Sequence, residues 1–100
     1  MIPHFSSQLD NNSWASICEF LSTLSEPDQK CLLQAENWGW GAFHDRNDKK
    51  CLIGHLPLCY RQGSLWIKSS RYAGAYDDLC RVYSVDRIVA LIKQFLMGLK

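Results

Sequence analysis

The sequence predicts an α+β fold with two N-terminal helices, a three-stranded antiparallel β-meander and two C-terminal helices packed on the sheet. Near both ends of the chain, apolar residues recur at three- and four-residue intervals, the spacing of one helical face. From Asn37 onward they alternate with a period nearer two, which is typical of strands. With 100 residues, 47% of them hydrophobic, we expect residues 1–100 to form a single globular domain.

The first helix is predicted between Ser13 and Ser25. Its apolar stripe consists of Trp14, Ile17, Cys18, Leu21 and Leu24. A second helix is expected directly afterwards, because Ser25 can cap its start and Pro27 is tolerated in the first turn. The two helices therefore meet at a corner near Ser25.

Three strands are predicted in the middle of the chain. The first covers residues 38–44, with Trp38, Trp40, Ala42 and His44 on one face, and turns back through residues 45–49. The second begins as Cys51–Leu56, and Pro57 marks a bulge, an edge or its end. A further hairpin through residues 61–64 joins residues 58–60 to the third strand at residues 65–68.

The C-terminal part returns to helix after residues 69–74. A short helix is predicted over Ala75–Tyr83. The last helix begins behind a Ser84 cap and has the longest apolar stripe of the chain. That stripe consists of Val85, Ile88, Val89, Ile92, Phe95, Leu96 and Leu99.

Composition indicates a soluble cytoplasmic protein. No apolar run approaches the roughly 18 residues of a membrane span, and the first seven residues lack the features of a signal peptide. Five cysteines at irregular spacing indicate reduced thiols. Residues 1–48 carry two basic and seven acidic groups, whereas residues 49–100 carry nine basic and three acidic ones. This polarity can steer a partner, although a solvated surface is the better explanation.

The cluster His44, Cys51, His55 and Cys59 contains the ligand types that zinc prefers. On a strand, however, Cys51 and His55 would lie about 13 Å apart, too far to share one ion. We therefore predict no metal and no cofactor. A thiol-imidazole dyad is the other chemical interpretation, because a symmetric hairpin would place His44 opposite Cys51. No recognised nucleophile motif surrounds Cys51, so these residues are also interpretable as buried structural neighbours.

The segment Trp38-Gly39-Trp40-Gly41 does not fit a phosphate-binding loop, because no helix start or lysine follows it as required. Its glycines indicate a bend or a close approach of another group. The tryptophans are expected mainly in the core, and exposed rings would instead provide a platform for ligand stacking.

The most suggestive surface combines cations with aromatic rings. It consists of Arg61, Trp66, Lys68, Arg71, Tyr72, Tyr76 and Arg81. Trp, Tyr and Arg supply most hot spots in protein interfaces, and similar patterns bind single-stranded nucleic acid. A pI of 7.6 is low for a dedicated nucleic-acid binder.

The functional hypothesis is a small non-catalytic interaction or regulatory protein, such as an inhibitor of a larger enzyme, that binds a protein or ribonucleoprotein partner through this surface. The alternatives are a zinc-binding or thiol-dependent enzyme built on the His-Cys cluster, and a domain that binds single-stranded nucleic acid directly.

Overall fold

Four helices make up most of the described part of the chain. The computed structural model describes residues 5–42, 44–56 and 63–99, with side chains omitted at 63–69. The helices are α1 (Gln8–Thr23), α2 (Glu26–Gln34), α3 (Gly63–Tyr83) and α4 (Val85–Gly98). No described residue belongs to a β-strand, and pairing between extended segments is limited to isolated bridges. The predicted α+β fold with a three-stranded meander is therefore wrong for this part of the chain.

Serine caps define the starts of three helices. The Ser25 hydroxyl accepts from the Asp28 amide at 3.4 Å, and the Ser84 hydroxyl accepts from the Arg87 amide at 3.4 Å. These contacts confirm the predicted starts of α2 and α4. The start of α1 lies five residues earlier than predicted, because its cap is Ser7, whose hydroxyl accepts from the Asp10 amide at 3.1 Å.

Helix α3 replaces the predicted third strand and absorbs the short helix predicted over Ala75–Tyr83. Residues 65–68, predicted as a strand, lie inside this helix of 21 residues. Gly74, predicted as the end of a break between elements, also lies within it. A glycine weakens a helix by only about 1 kcal/mol, so tertiary packing overrides its local preference. The predicted strand at residues 58–60 lies outside the described residues.

The described residues of the predicted strands at 38–44 and 51–56 form a folded non-helical segment, and Phe43 lies outside the described residues. Trp38 and His44 each make a single bridge to Lys50, and neither bridge extends into a ladder. Cys51–Leu56 is a buried turn, in which the His55 amide donates to the Cys51 carbonyl at 3.3 Å and the Leu56 amide to the Ile53 carbonyl at 3.0 Å. A run of apolar residues is equally compatible with this buried turn and with a buried strand, because side chains on all sides of both are removed from solvent.

The core is formed by one stripe from each helix together with this turn. Its fully buried side chains are Ile17, Leu21, Leu32, Leu52, Ile53, Leu56, Tyr76, Leu79, Ile88, Ile92 and Leu96. Helix α1 lies antiparallel to α3, because Asp10 contacts Tyr83 at one end and Glu19 contacts Arg71 at the other. Helix α4 packs against α2, α3 and α1. None of the described helices has the length and apolar character needed to cross a membrane.

Candidate functional site

The tryptophan-glycine segment is fastened to α3 by two hydrogen bonds. The buried Tyr76 hydroxyl donates to the Gly39 carbonyl at 2.7 Å, and the Gly41 amide donates to the Asp77 carboxylate at 3.0 Å. Desolvation raises the pKa of Tyr76 and that of Asp77, as expected for groups removed from water. The segment is therefore held against two consecutive residues of α3.

The glycines of this segment meet a close approach and an unusual backbone angle. A Cβ at Gly39 would lie 3.0 Å from the Cβ of Lys49, so no larger residue fits without movement. Gly41 has φ +87°, in the region that favours glycine. The expected close approach is confirmed at Gly39, whereas Gly41 provides a backbone angle that favours glycine, and both lie in a docked loop and not in a bent strand.

The two tryptophans of the segment have different roles. Trp38 is half-buried, its indole N–H donates to the Ala35 carbonyl at 3.2 Å, and its ring lies 4.3 Å from that of His55. Trp40 remains 44% exposed, with the Arg81 guanidinium 5.3 Å from its ring centroid. Trp38 thus contributes to packing, whereas Trp40 offers an aromatic face at the surface beside α3.

One face of α3 points to solvent along its C-terminal half. We call it the α3 face, and it consists of Arg71, Gly74, Asp78, Arg81 and Val82. At 100° per residue these positions fall within an arc of about 100°, and they extend about 16 Å along the helix. Val82 is 63% exposed, and a Cβ at Gly74 would meet nothing within 4 Å.

The predicted partner-binding residues divide into three groups. Arg71 and Arg81 are exposed on the α3 face. Tyr72 is half-buried and stacks on Phe20 at 5.2 Å, and Tyr76 is fully buried, so the core takes up these two rings wholly or in part. Arg61 lies outside the described residues, as do the side chains of Trp66 and Lys68.

Gly74, Asp78 and Val82 were missed by the sequence reasoning, and Trp40 was expected mainly in the core. The signal for the three helical positions was present, because residues 72, 76, 79 and 83 form an apolar stripe opposite to them. Extending the helix back through Gly74 would have revealed the exposed face. Trp40 carried no comparable signal, since its exposure depends on how the loop docks.

The predicted His-Cys cluster is not assembled among the described residues. His44 is exposed, and its Nε2 lies 2.6 Å from Asp48 Oδ1, a hydrogen bond that lowers the pKa of Asp48. His44 is bridged to Lys50 and not to Cys51, so the predicted hairpin register is not formed. Cys59 lies outside the described residues, and within the described ranges no three His, Cys, Asp or Glu side chains are placed to hold a metal.

Burial also changes the titration of the thiols and of His55. Desolvation raises the pKa of Cys51 and raises that of Cys80 to about 12, so both thiols stay protonated near neutrality. Desolvation together with Lys50 and Lys93 lowers the pKa of His55 to about 4. The His55 Nε2 atom is buried and has no hydrogen-bond partner among the described residues.

A cleft of about 360 Å³ separates the tryptophan-glycine loop from the start of α4. Both tryptophans line it, together with Asp45, Lys49 and Asp86. The lysine provides a countercharge to the carboxylates, so this lining selects neither a cation nor an anion. The α3 face is therefore the better-defined candidate site.

No protein-family model, curated protein or solved structure matches the chain. Its function is therefore inferred from the surface and the chemistry of the described residues.

Proposed function

We propose that this chain is a non-catalytic interaction protein that binds a protein or ribonucleoprotein partner through the α3 face. One role for such binding is the inhibition of a larger enzyme. Two exposed arginines, an exposed valine and the neighbouring Trp40 provide the residue types and mixed polarity of interface hot spots.

Gly74 is the observation that carries the proposal. It lies inside α3, where glycine costs about 1 kcal/mol relative to alanine. A Cβ at this position would meet nothing within 4 Å, so no neighbour in the described structure requires the side chain to be absent. A contact with another molecule supplies a reason for glycine here, because a missing side chain lets a partner approach the helix backbone closely.

The contacts of Trp40 support the same surface. Hydrogen bonds at Gly39 and Gly41, on either side of Trp40, hold the loop to α3. The Arg81 guanidinium lies over the indole ring. A ring held in place loses less conformational entropy on binding than a mobile one, so this arrangement favours association.

The two alternative functions receive less support from the described residues. A thiol nucleophile needs a lowered pKa, whereas burial raises the pKa of Cys51. Stacking on nucleobases needs several free aromatic faces. Tyr76 is buried and Tyr72 stacks on Phe20, which leaves Trp40, with Arg81 over its ring, as the exposed aromatic residue of this surface among the described side chains. Both observations favour protein docking over catalysis and over direct nucleic-acid binding.

A pair of glycine variants tests the proposal. Gly74→Trp places a large ring on the α3 face, and Gly98→Trp is the matched control, since a Cβ at Gly98 also meets nothing within 4 Å. Tagged wild-type and variant chains are used to capture partners from the native cells, and circular dichroism checks their folding. We expect Gly74→Trp to abolish capture and Gly98→Trp to retain it. Equal capture by both variants would contradict the proposal.

Charge reversal and nuclease treatment sharpen the same assay. Arg71→Glu should weaken capture, whereas Lys30→Glu, a reversal on α2, should leave it unchanged. A protein partner survives nuclease treatment, and a partner lost with the nucleic acid identifies ribonucleoprotein or nucleic-acid binding. A flat salt response would exclude direct nucleic-acid binding, which predicts a steep loss of affinity with salt.

A further inference from the structure

We infer that the partner fitted by the α3 face is a second copy of this chain, packed antiparallel across a twofold axis near Gly74. This inference rests on the proposed function, because it uses the same docking surface. Closed twofold dimers are the commonest protein assemblies, and they require a patch that is complementary to itself.

Two of the three charged residues of the α3 face, Arg71 and Asp78, have this self-complementarity. Arg71 lies three residues before Gly74 and Asp78 lies four residues after it, so the two charges are equidistant from a point between residues 74 and 75. Two antiparallel copies centred on that point place Arg71 of each copy opposite Asp78 of the other. The contact therefore forms twice, with opposite charges facing each other on both sides of the axis.

Gly74 lies at the centre of this arrangement. Packed helices are separated by about 8–10 Å, and the distance depends on the side chains at the crossing point. A glycine at that point permits the shorter separations, and the space around its Cβ position is open. Arg71 and Asp78 each lie about 5 Å along the helix from the axis, within reach of the facing copy.

Both charged groups are available for the contact. Arg71 approaches Glu19 at 3.4 Å and donates to the Tyr72 hydroxyl at 2.6 Å. The Arg71 and Glu19 side chains are 67% and 60% exposed, and such surface ion pairs contribute about 0–1 kcal/mol. Asp78 makes no hydrogen bond or ion pair with the described residues. Moving the Arg71 guanidinium to the facing Asp78 therefore replaces a surface ion pair with Glu19 and an exposed hydrogen bond to Tyr72.

The size of the surface indicates a weak dimer. The α3 face is about 16 Å long, and interfaces that bury less than about 1,200 Å² in total are typical of transient association. Self-association is therefore sought by sedimentation equilibrium over protein concentrations from about 1 μM to about 1 mM. We expect dimer formation within this range.

Charge-swap variants provide the decisive test. Arg71→Asp and Asp78→Arg each place like charges together twice, and each should weaken the dimer about tenfold or more. The double variant R71D/D78R restores opposite charges across the axis and should dimerise within about threefold of the wild type. Lys30→Asp on α2 is the control for a reversal elsewhere, and circular dichroism confirms folding of every variant.

Three results would overturn the dimer: a wild-type chain that stays monomeric at about 1 mM, single variants that associate normally, or a double variant that stays as weak as the singles. These failures are distinct from failure of the proposed function. A monomeric wild type whose capture of a different protein is lost in Gly74→Trp refutes self-association but leaves the α3 face as the docking surface. A dimer unaffected by Gly74→Trp refutes the α3 face as the dimer interface, and equal capture of a different protein by Gly74→Trp and Gly98→Trp refutes the proposed function.

Discussion

The two faces of helix α3 differ in whether contacts within the chain account for the residues found there. On the inner face, Tyr76 and Leu79 are fully buried, and even the tyrosine hydroxyl has a specific acceptor at Gly39. On the outer face, Gly74 weakens the helix without serving any contact within the described structure. The fold therefore accounts for the inner face, and the outer face calls for an explanation outside the chain.

Among the predicted effects, side-chain truncation should give the largest difference in the free energy of unfolding between the two faces. Leu79→Ala creates a cavity in the core and should lower the free energy of unfolding by about 2–5 kcal/mol. Val82→Ala, three residues away on the exposed face, should change it by less than about 0.5 kcal/mol. Urea denaturation measures both values. A loss for Val82→Ala as large as that for Leu79→Ala would show that the outer face is buried in the free protein.

Acid should weaken the packing next to the inner face through His55, whose ring lies beside that of Trp38. Burial lowers its pKa from 6.5 to about 4. The folded chain therefore favours neutral His55, and its stabilising contribution is complete above pH 6.5 and is lost as the pH falls towards 4. Since the ring is half-buried, solvent screening keeps the loss below about 3 kcal/mol.

The His55 effect is measured as a difference between two stability curves. Urea denaturation of wild type and of His55→Gln from pH 7 to pH 4 gives the part of the pH dependence that this ring causes. We expect the wild type to lose more stability than the variant over this window. Parallel curves would show that His55 does not titrate differently in the folded and unfolded chains.

Tyr76→Phe tests the hydrogen bond between the inner face and the loop. Removing the hydroxyl leaves the Gly39 carbonyl without this partner in a buried site, which should cost about 1–3 kcal/mol. Tyr72→Phe removes an exposed contact with Arg71 and should cost less. If chemical denaturation gives the two variants the same stability, the Tyr76 hydroxyl does not anchor the loop.

Two alanine substitutions at glycine should have opposite signs. Gly39→Ala brings a Cβ within 3.0 Å of Lys49 and should destabilise the chain by about 1 kcal/mol. Gly74→Ala meets no atom and improves helix propensity, so it should stabilise the chain by about 0.5–1 kcal/mol. Thermal or urea unfolding at low protein concentration measures both. Destabilisation by Gly74→Ala would indicate a contact of this glycine within the chain.

Helices α2 and α4 were predictable from local sequence, whereas the first half of α3 and the central segment were not. The starts of α2 and α4 are indicated by their serine caps, Ser25 and Ser84. The buried side of α4 is indicated by the apolar stripe from Ile88 to Leu96. The alternation around Trp38 and Trp40 resembled a strand with both rings on one face, but in the structure one ring packs inwards and the other stays exposed. Which ring is buried depends on the hydrogen bonds that join the loop to Tyr76 and Asp77. These residues lie far along the chain, so the local hydrophobic pattern does not reveal the contacts.

The candidate site was predictable only in part for the same reason. Arg71 and Arg81 were chosen by composition, and both are exposed, whereas Tyr76 was chosen by the same criterion and is buried. Composition identifies the side chains suited to an interface, but the helical register decides which of them reach the surface. Gly74 was overlooked because a glycine in a sequence suggests a break more readily than a position inside a helix.

The most direct test of the account is partner binding by Gly74→Ala. The claim that Gly74 serves an intermolecular contact predicts a chain that is more stable than the wild type and yet captures less partner. The Cβ that improves the helix would then stand in the way of the partner. Undiminished capture by the stabilised variant would contradict the claim.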